Sequence, residues 1–337
     1  MIKRLLYLGY YYKELDKAKF SRFVDYVHRQ HGISKPKIYA DMIAASLKYN
    51  VSFIDYFLFR FYQNTPQVRD TYAGTGFMYE YQLQMNPKKY RDVLEDKLRF
   101  LEVYKEFVLH DYASLTQMQA DKNIAERLLA NMSGKVVLKG STGQCGRGIE
   151  VRSAKDFTPD TLIARLKEMN NDYVEEFVMQ HPELNNLSPS GLNTVRIFTQ
   201  LDGEDNVVIL GCRLRITINS AVDNLAAGNV AAPVNTETGI VEGPGVYSDI
   251  TKEDIDVHPV TGVSITGFKV PYWQETIAMV KKASLLDKRN RSVGWDVAIT
   301  EKGPELIEGN HNWCKLLYQL PVKKGLKLVL TSYQHKK

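Results

Sequence analysis

The chain has 337 residues, of which 44% are apolar, and its 44 basic and 39 acidic residues give a net charge of +5. This length and composition predict a globular protein of two or three packed units. They exclude a transmembrane protein, because no apolar stretch approaches the roughly 20 residues that span a bilayer. The mild positive charge is that of an ordinary soluble surface and also suits an anionic small-molecule ligand.

The cysteines and the start of the chain bear on its compartment. Cys145, Cys212 and Cys314 stand far apart and fit neither a zinc site nor the even count of a secreted disulfide framework, so we expect a reducing, cytoplasmic setting. The start, MIKRLLYLGYYY, has a short tyrosine-rich apolar run and no small-residue cleavage site, which indicates a packed N-terminal element rather than a signal peptide. Peripheral membrane association through the basic residues near the N-terminus stays open, although no clear basic amphipathic helix supports it.

The pattern from about residue 14 to residue 110 is helical. Apolar residues recur at three- and four-residue spacing in KFSRFVDYVHRQHG and again in IYADMIAASLKYN, with Gly32 and Pro36 punctuating the pair. The aromatic run DYFLFRFYQ that follows could form a base-stacking surface. Because no stripe of Lys and Arg accompanies it, we interpret the run as a buried helical core and expect no nucleic-acid partner.

Strands and turns begin after about residue 112. KVVLKG and IEVRS are predicted strands joined by the glycine-rich loop STGQCGRG, and TPDTLIARLKEMN is a predicted helix with Thr158 as its N-cap and Pro159 in its first turn. DYVEEFVMQH is expected to be extended, and LNTVRIFTQLDGEDNVVILGCRLRITIN to form a hairpin that turns at DGED. A long loop then leads to a helix around WQETIAMVKKASLLDK.

The last predicted strands, in GWDVAITEKGPELIEGNHNW, place three oxygen-bearing side chains together. A turn in the segment EKGP puts Asp296 opposite Glu308, and Asn310 lies on the same face because strand side chains alternate. Paired carboxylates repel each other unless a cation lies between them, and oxygen ligands of this kind suit magnesium. The alternative is a hairpin whose polar face meets only water, which leaves the flanking glycine and tryptophan unexplained.

A second candidate is the loop that follows Lys139. Its glycines, Gly143, Gly146 and Gly148, let backbone N–H groups turn toward an anion, and Lys139 would add a point charge beside them. The loop lacks the Lys-Ser/Thr ending of a P-loop, and its glycine order is the reverse of the dinucleotide fingerprint. On its own it is also compatible with a simple hairpin turn.

Arginines add positive charge to these candidates. In the predicted hairpin, Arg196 lies on the strand next to Arg213 and Arg215, and the last two share a face. Facing a site with magnesium, such a cluster would hold a triphosphate or stabilise a transferring phosphoryl group.

Taken in this order, the lysine-ended strand, the glycine loop, VEEFV, the arginine-bearing hairpin and the final D…E-x-N resemble the ATP-grasp superfamily. SPSGLNTVRIFT, HPVTGVSITGFKVPYW and VGWDVAITEKGPELIEGNHNW are similar to one branch of it, the sugar-transfer-associated ATP-grasp family found with polysaccharide-assembly enzymes. The resemblance covers roughly residues 110 to 325. It implies an α+β ATP-grasp fold in which a lid subdomain (113–183) and a C-terminal subdomain with the metal site (184–337) grip ATP, after a helical N-terminal domain (1–112).

The resemblance also implies roles for individual residues. Lys139 corresponds to a lysine that contacts the nucleotide phosphates, the loop 140–148 to a lid over them, and 175–178 to a hinge whose backbone meets the adenine edge. Asp296, Glu308 and Asn310 correspond to magnesium ligands. The full set implied to bind ATP is Lys122, Lys139, Ser141, Gly143, Gly146, Gly148, Glu175, Glu176, Phe177, Val178, Glu183, Asn224 and Gly228.

Four of these residues have more specific implied places. Glu183 would be the acid that binds the ribose, and Lys122 would be a second lysine on an earlier helix. Asn224 and Gly228, in DNLAAGN, would lie near the transferring phosphate.

These parts imply an ATP-dependent ligase. With magnesium neutralising the phosphates, Arg196, Arg213 and Arg215 would stabilise the γ-phosphoryl group while a substrate carboxylate attacks it to give an acyl phosphate and ADP. An amine or hydroxyl, such as one on a sugar, would then displace phosphate, with His258 or His311 as its proton acceptor. The expected partners are ATP, the carboxylate, the acceptor and polysaccharide-assembly enzymes.

Two other functions stay open. The acidic triplet DID at residues 254–256 could hold a divalent ion on a sugar nucleotide, as in a metal-dependent glycosyltransferase, although it lies in a charge-rich loop that favours simple solvation. The chain could also be a non-catalytic nucleotide-binding partner of a polysaccharide enzyme, against which the complete metal triplet argues.

Overall fold

The computed structural model describes residues 2–142 and 148–334. In it, helices predominate over the first hundred residues, and helices alternate with strands in the rest of the chain. This order of elements confirms the predicted α+β class. The helices of the N-terminal part are α1 (Ile2–Lys13), α2 (Lys17–His31), α3 (Lys35–Tyr49), α4 (Phe53–Leu58), α5 (Pro66–Asp70), α6 (Thr75–Met85), α7 (Asp92–Glu95) and α8 (Lys97–Val103).

Helix α2 ends before Gly32, as the sequence predicts. The carboxylate of Asp16 accepts a hydrogen bond from the backbone N–H of Lys19 and caps α2, and Gly32 ends this helix in a left-handed conformation with a φ of 65°. The three- and four-residue spacing of its apolar residues therefore defines an inner face. The residues buried on that face are Phe23, Val24 and Val27.

The aromatic run after α3 is buried, as predicted. Because α4 ends at Leu58 and Arg60 adopts a left-handed φ of 52°, the run is divided between a short helix and a turn. Its rings pack against one another in the core, which removes them as a base-stacking surface. The buried members are Tyr56, Phe57, Phe59 and Phe61.

The first of two antiparallel sheets, called the small sheet here, lies between residues 112 and 176. Its strands are β1 (Tyr112–Ser114), β2 (Lys135–Lys139), β3 (Glu150–Ser153) and β4 (Tyr173–Glu176), in the spatial order β1-β4-β2-β3. One face packs against α9 (Leu115–Ala120), α10 (Lys122–Leu129) and α11 (Pro159–Glu168). Thr158 caps α11, as predicted.

The second sheet, called the large sheet, is also antiparallel. Its strands are β5 (Thr194–Leu201), β6 (Val207–Ile216), β7 (Val230–Val234), β8 (Val246–Tyr247), β9 (Ser292–Thr300) and β10 (Gly303–Asn310). Their spatial order is β10-β9-β5-β6-β7-β8. The two predicted hairpins, β5–β6 and β9–β10, are confirmed by this pairing.

The remaining helices flank the large sheet. The longest described helices are α2 and α3, with 15 residues each. Across the ranges that the structure describes, no helix combines the length and the apolar content that crossing a bilayer requires. The helices of this part are α12 (Pro182–Leu187), α13 (Trp273–Leu286), α14 (Lys315–Gln319) and α15 (Lys327–Gln334).

Both faces of the large sheet pack against helices. On one face, Ile197 and Trp295 pack with residues of α13 and α8. On the other, Phe198 belongs to one continuous core with Phe57 and Tyr81 of the N-terminal helices. The N-terminal helices therefore share their core with the large sheet, and the domain boundaries at residues 112 and 183 stay predictions.

Candidate functional site

Asp296 and Glu308 face each other across the β9–β10 hairpin, as the sequence predicts. Nearer the turn the register is different, since Leu306 lies opposite Val297. A β-bulge between Leu306 and Glu308 adds one residue to β10 and rotates Glu308 onto the face of Asp296. Leu306 stays in the core on the opposite face, so the bulge is what gives this hairpin its polar pair.

Two arginines hold the carboxylate of Asp296. Arg196 lies directly opposite on β5 and donates from Nε and Nη2 at 2.6 and 2.7 Å, and Arg215 on β6 donates from Nη1 at 2.9 Å. Burial alone would raise the pKa of Asp296, but the charges of Arg196 and then Arg215 outweigh it and lower the pKa to about 2. Asp296 is therefore ionised and fixed in orientation at neutral pH.

A second aspartate, Asp223, balances the charge of the arginines. It forms an ion pair with Arg215 and accepts hydrogen bonds from the backbone N–H and the hydroxyl of Thr194. We call Arg196, Arg215, Asp223 and Asp296 the arginine–aspartate cluster; with both aspartates ionised, its two positive and two negative charges cancel. Burial raises the pKa of Asp223, the charge of Arg215 opposes this rise, and the charge of Asp296 adds to it. Sequence analysis missed Asp223, because it lies in an irregular loop without strand or helix periodicity.

Arg213 shares the strand of Arg215 but does not join the cluster. Its guanidinium donates to the main-chain oxygens of Cys212 and Tyr318 at 2.7 and 2.6 Å and lies over the Tyr318 ring. Burial lowers its pKa to about 10, which leaves it protonated at neutral pH. The phosphate contact expected of Arg213 is thus replaced by a structural one, between β6 and α14.

Glu308 and Asn310 present further oxygen atoms on the face of Asp296. Among the described residues, no side chain donates a hydrogen bond to the Glu308 carboxylate, and Asn310 uses Nδ2 to donate to the Gly294 carbonyl at 3.3 Å. This donor set fits magnesium, which takes one or two carboxylates and completes its shell with water and substrate phosphates. Within residues 2–142 and 148–334, no group of three or more His, Cys, Asp or Glu is placed to hold a metal ion, so an ion here needs those added oxygen ligands.

The small sheet presents Lys139, Tyr173 and Glu175 toward the same region. Lys139 pairs with Tyr173 in the β2–β4 register and forms an ion pair with Glu175. Burial raises the pKa of Tyr173 above its usual range, and the charges of Glu175 and Glu308 raise it further. His110 lies between Glu175 of this face and Glu305, which is on the same strand as Glu308, so the two sheets bring Lys139 and Glu308 to one region.

Lys97, at the start of α8, belongs to the same region and was not predicted. Its backbone N–H donates to the carbonyl of Ser141 at 3.0 Å. Burial lowers the pKa of its ammonium group, and the negative charge of Glu308 opposes this lowering more strongly than any other nearby charge. The sequence carries no signal for it, because KLRFLEV has the pattern of an ordinary surface helix.

A buried histidine joins the two sheets. The carboxylate of Glu305 on β10 accepts hydrogen bonds from the backbone N–H of Leu109 and of His110, at 2.8 and 3.0 Å, and from Nδ1 of His110 at 2.7 Å. On its other side, Nε2 of His110 lies 3.8 Å from the carboxylate of Glu175. A chain of charged groups therefore runs from Lys139 through Glu175 and His110 to Glu305.

The glycine-rich loop after Lys139 is held at both ends by the turn before β4. Ser141 donates from its backbone N–H and its hydroxyl to the carboxylate of Asp172, at 2.6 and 2.5 Å. Asn171 donates from Nδ2 to the carbonyl of Gly148 at 3.0 Å, where Gly148 has a left-handed φ of 73°. The predicted lid residues Gly143 and Gly146 lie outside the described residues.

The predicted adenine hinge is the segment 175–178, which begins at Glu175. The Glu176 carboxylate accepts from the backbone N–H of Asp111 at 3.4 Å, and Nζ of Lys135 lies 5.1 Å from the ring centroid of Phe177. Within the described residues, the backbone N–H and C=O of Val178 have no hydrogen-bond partner. Such groups are available to meet the polar edge of a base.

Asn224 and Gly228 lie next to the arginine–aspartate cluster in the loop that supplies Asp223. The Asn224 side chain accepts from the backbone N–H of Ala226 at 3.0 Å and starts a short 3₁₀ turn. Gly228 ends that turn with a φ of 90°, a conformation that favours glycine. Both residues therefore shape the loop that carries Asp223.

Three other predicted residues have different surroundings. Lys122 forms a surface ion pair with Asp160 at 2.6 Å on the helical side of the small sheet, and Glu183 is exposed in the first turn of α12. His258 is buried, with Nε2 donating to the carbonyl of Thr217 at 2.8 Å. Among the described residues, no hydrogen bond or ion pair joins these three to Lys139 or Glu308.

The histidines expected to accept a proton are already engaged. Besides its bond to Thr217, His258 accepts at Nδ1 from the backbone N–H of Thr261 at 3.2 Å, so both ring nitrogens serve the fold. His311 lies 3.0 Å from the carboxylate of Glu95 through Nε2. This geometry disfavours His258 as a general base, because its acceptor nitrogen is occupied.

The acidic triplet 254–256 is also engaged by its neighbours. Asp254 forms an ion pair with Lys323 at 2.5 Å, and Asp256 accepts from the hydroxyl of Thr266 at 2.7 Å. The two carboxylates thus have separate partners and do not form the pair that a glycosyltransferase metal site needs.

The fold and the paired oxygen ligands define a chain of the ATP-grasp class. A family model described as sugar-transfer associated ATP-grasp matches residues 77–335. Since the match spans more than half of the chain, the chain belongs to the sugar-transfer associated ATP-grasp family. The resemblance seen in the sequence motifs is confirmed. No curated protein matches the chain.

Several solved structures are similar to this chain at low sequence identity. The chain is similar to the biotin carboxylase domain of 2-oxoglutarate carboxylase from Hydrogenobacter thermophilus, with 16% identity, a TM-score of 0.40, and 70% of this chain covering 46% of that one. D-cycloserine synthetase DcsG has 10% identity and a TM-score of 0.44, with 75% and 74% of the two chains covered. D-alanyl-alanine synthetase A from Vibrio cholerae has 12% identity and a TM-score of 0.42, with 72% of this chain and 66% of that one covered. The chain spans less than half the length of the first of these structures.

Proposed function

We propose that this protein is an ATP-dependent, ADP-forming ligase that activates a carboxylate as an acyl phosphate and joins it to an amine or a hydroxyl. The observation that carries the proposal is the position of Glu308, opposite Asp296 on the large sheet, on the strand whose Glu305 is joined through His110 to Glu175, the ion-pair partner of Lys139 on the small sheet. A carboxylate pair close to a lysine suits a magnesium nucleotide. Membership of the ATP-grasp family supports the same assignment.

In this proposal the nucleotide lies between the two sheets. Lys139 and Lys97 contribute positive charge toward its phosphates, and the backbone of Val178 meets its adenine edge. Ser141 and Gly148, the described ends of the glycine-rich loop, are held by Asp172 and Asn171, and a lid at this loop would keep water from the acyl phosphate.

The metal ligands we propose are Asp296, Glu308 and Asn310. Magnesium bound there would supply neutralisation of the phosphate charge. Arg196 and Arg215 act through Asp296, since they hold both of its oxygen atoms and keep it ionised. Because the charge of the cluster is already balanced, we assign these two arginines as positioning residues instead of direct phosphate ligands.

The acceptor we propose is a sugar or a related amine or hydroxyl used in polysaccharide assembly, with polysaccharide-assembly enzymes as partners. The family description, sugar-transfer associated, supports this class of acceptor. A reducing cytoplasmic setting agrees with the free thiols of Cys212 and Cys314 and with the supply of ATP.

The first test is a calorimetric titration of ATP with magnesium. Glu308→Gln keeps the size of the side chain but removes the charge, and it breaks no hydrogen bond to a described side chain, so it should fold normally. We expect magnesium-dependent binding to the wild type and at least about tenfold weaker binding to the variant. The matched control is Glu106→Gln, an exposed glutamate outside the site, which should bind like the wild type.

The outcomes separate the parts of the proposal. Equal binding by the wild type and Glu308→Gln would show that Glu308 is not a metal ligand. Absence of ATP binding to both proteins would overturn the proposed nucleotide site. If binding is confirmed, carboxylates are screened with ATP and hydroxylamine, and a hydroxamate with matching ADP release identifies the acyl phosphate. Binding without turnover for any carboxylate and acceptor would favour the non-catalytic alternative.

A further inference from the structure

The outward side of α1 is apolar and uncovered. Leu5, Leu6, Tyr10 and Tyr12 have accessible fractions of 54%, 71%, 54% and 65%. At about 100° per residue these four positions fall on one half of the helix. The opposite half is packed against the protein, and Tyr7 there contacts α6 through the Tyr79 ring and the Glu80 carboxylate. We call Leu5, Leu6, Tyr10 and Tyr12 the α1 face.

Neighbouring helices carry more exposed apolar side chains. α1 packs beside α3, on which Tyr39 and Ile43 are exposed, and beside α6, on which Tyr79 and Leu83 are exposed. Single exposed apolar residues are common on protein surfaces, but their concentration on adjacent helices marks an interaction surface.

Positive charge is concentrated in the same part of the chain. Residues 1–40 contain nine basic residues (Lys and Arg) and three acidic residues (Asp and Glu), whereas the rest of the chain contains 35 basic and 36 acidic residues. The net charge of +5 therefore arises in the segment that carries the α1 face. Lys13 is exposed at the end of α1 and Lys17 at the start of α2, whereas the ammonium group of Lys3 forms an ion pair with Glu80 at 2.9 Å.

We propose that α1 lies flat on an anionic lipid surface. Leucine and tyrosine side chains on one half of the helix would enter the boundary between headgroups and acyl chains, and Lys13 and Lys17 would face the headgroups. Each basic residue near an anionic surface strengthens such binding. A second copy of the chain is a less favourable occupant, because two strongly basic segments would repel each other.

The sequence did not reveal this surface, and the reason is physical. Tyr7, Leu8 and Tyr11 make the other half of α1 apolar as well, so the helix has no polar face by pattern. Only the packing of that half against the protein shows which side is left uncovered.

The test is co-sedimentation of the whole protein with vesicles, without nucleotide. One set of vesicles contains phosphatidylcholine alone, and the other contains phosphatidylcholine with phosphatidylglycerol. The variant is Leu6→Asp, and its matched control is Met132→Asp, which makes the same change of charge at a side chain that is 85% exposed elsewhere. Both sites are open to solvent, so thermal unfolding should match the wild type.

We expect the wild type to bind the anionic vesicles and not the neutral ones, Leu6→Asp to bind at least about tenfold more weakly, and Met132→Asp to stay within about twofold of the wild type. Absence of wild-type binding, equal binding to both kinds of vesicle, or an equal loss in the two variants would each overturn the proposal. Sedimentation velocity covers the other occupant: a wild-type dimer that Leu6→Asp dissociates would assign the α1 face to a second copy. None of these results depends on ATP binding, so the proposed ligase function is tested separately.

Discussion

Arg196 and Asp296 lie directly opposite each other on neighbouring strands, and two hydrogen bonds of 2.6 and 2.7 Å join the guanidinium to both oxygen atoms of the carboxylate. The pair is buried beside Arg215 and Asp223. A buried ion pair adds little net stability compared with apolar packing, but removing one partner leaves the other charge buried and uncompensated. A single substitution that removes one charge of the cluster should therefore destabilise the large sheet.

Asp296→Asn should lower the free energy of unfolding by about 3 to 5 kcal/mol, because two buried guanidinium groups would then share Asp223 alone. Urea denaturation followed by circular dichroism measures this change. Asp160→Asn, at an exposed surface pair with Lys122, serves as the control and should leave the midpoint unchanged. Equal midpoints for both variants would show that the cluster is not a stabilising unit.

Gly294→Ala should destabilise the protein and displace Arg196. A Cβ at this position would lie 2.6 Å from Cβ of Trp313 and 3.2 Å from Cδ of Arg196, and both neighbours are buried. Overpacking of this kind costs about 1 to 3 kcal/mol, which thermal unfolding would detect.

Gly9→Ala is the matched control for that substitution. A Cβ at position 9 meets no atom within 4 Å, and the residue lies inside α1. We expect this change to be neutral or to stabilise by up to about 1 kcal/mol, because alanine favours helix more than glycine. A loss of stability at Gly9 as large as that at Gly294 would contradict the packing argument.

The link through His110 should make stability depend on pH. Burial would lower the pKa of His110, but the hydrogen bond to Glu305 and the charge of Glu175 outweigh it, and the pKa is raised above 6.5. A raised pKa in the folded state contributes stability below the unfolded value and loses that contribution as pH rises through the folded value.

We therefore expect His110→Gln to be less stable than the wild type by about 3 kcal/mol near pH 6 and the difference to shrink as pH rises above 6.5. Urea denaturation at a series of pH values measures it. Curves for the two proteins that stay parallel over this range would show that His110 does not carry the charge between Glu175 and Glu305.

The cysteines should differ in reactivity. Burial raises the pKa of the Cys212 thiol to about 12, whereas Cys314 is exposed. In a Cys145→Ser background, a thiol reagent should modify Cys314 in the native protein at least about a hundredfold faster than Cys212. Peptide mass spectrometry after timed quenching distinguishes the two. Rapid native labelling of Cys212 would mean that the core beneath β6 opens readily.

Local patterns in the sequence were sufficient for much of the fold. The caps of α2 and α11, at Asp16, Gly32 and Thr158, depend on neighbouring residues and were accessible to periodicity and cap rules for the two predicted helices. The pairing of Asp296 with Glu308 was predicted from a short turn, but the register at the turn alone would place Ile307 opposite Asp296, and a bulge brings Glu308 there. The bulge that completes this pairing was not predicted, because it comes from packing of Leu306 into the core.

Long-range contacts explain what the sequence did not reveal. His110 meets Glu305, and Asp223 meets Arg215, only after both sheets have formed. Arg213 and Arg215 have the same pattern of alternation, yet Arg213 is drawn to the Tyr318 carbonyl, which α14 brings to its strand. Residue type and spacing cannot separate two such arginines, because the difference lies in a partner about a hundred residues further along the chain.

Phe57 and Phe198 belong to one core, so a fragment that folds must include both the N-terminal helices and the large sheet. The side-chain amide of Gln319 both accepts from the backbone N–H of Ala73, at 2.9 Å, and donates to its carbonyl, at 3.0 Å. The family match begins at residue 77, beyond these contacts. A fragment trimmed to the matched residues would expose one side of its own large sheet to water, and we expect it to aggregate during expression. The helices before residue 77 therefore belong to the smallest part of the chain that we expect to fold.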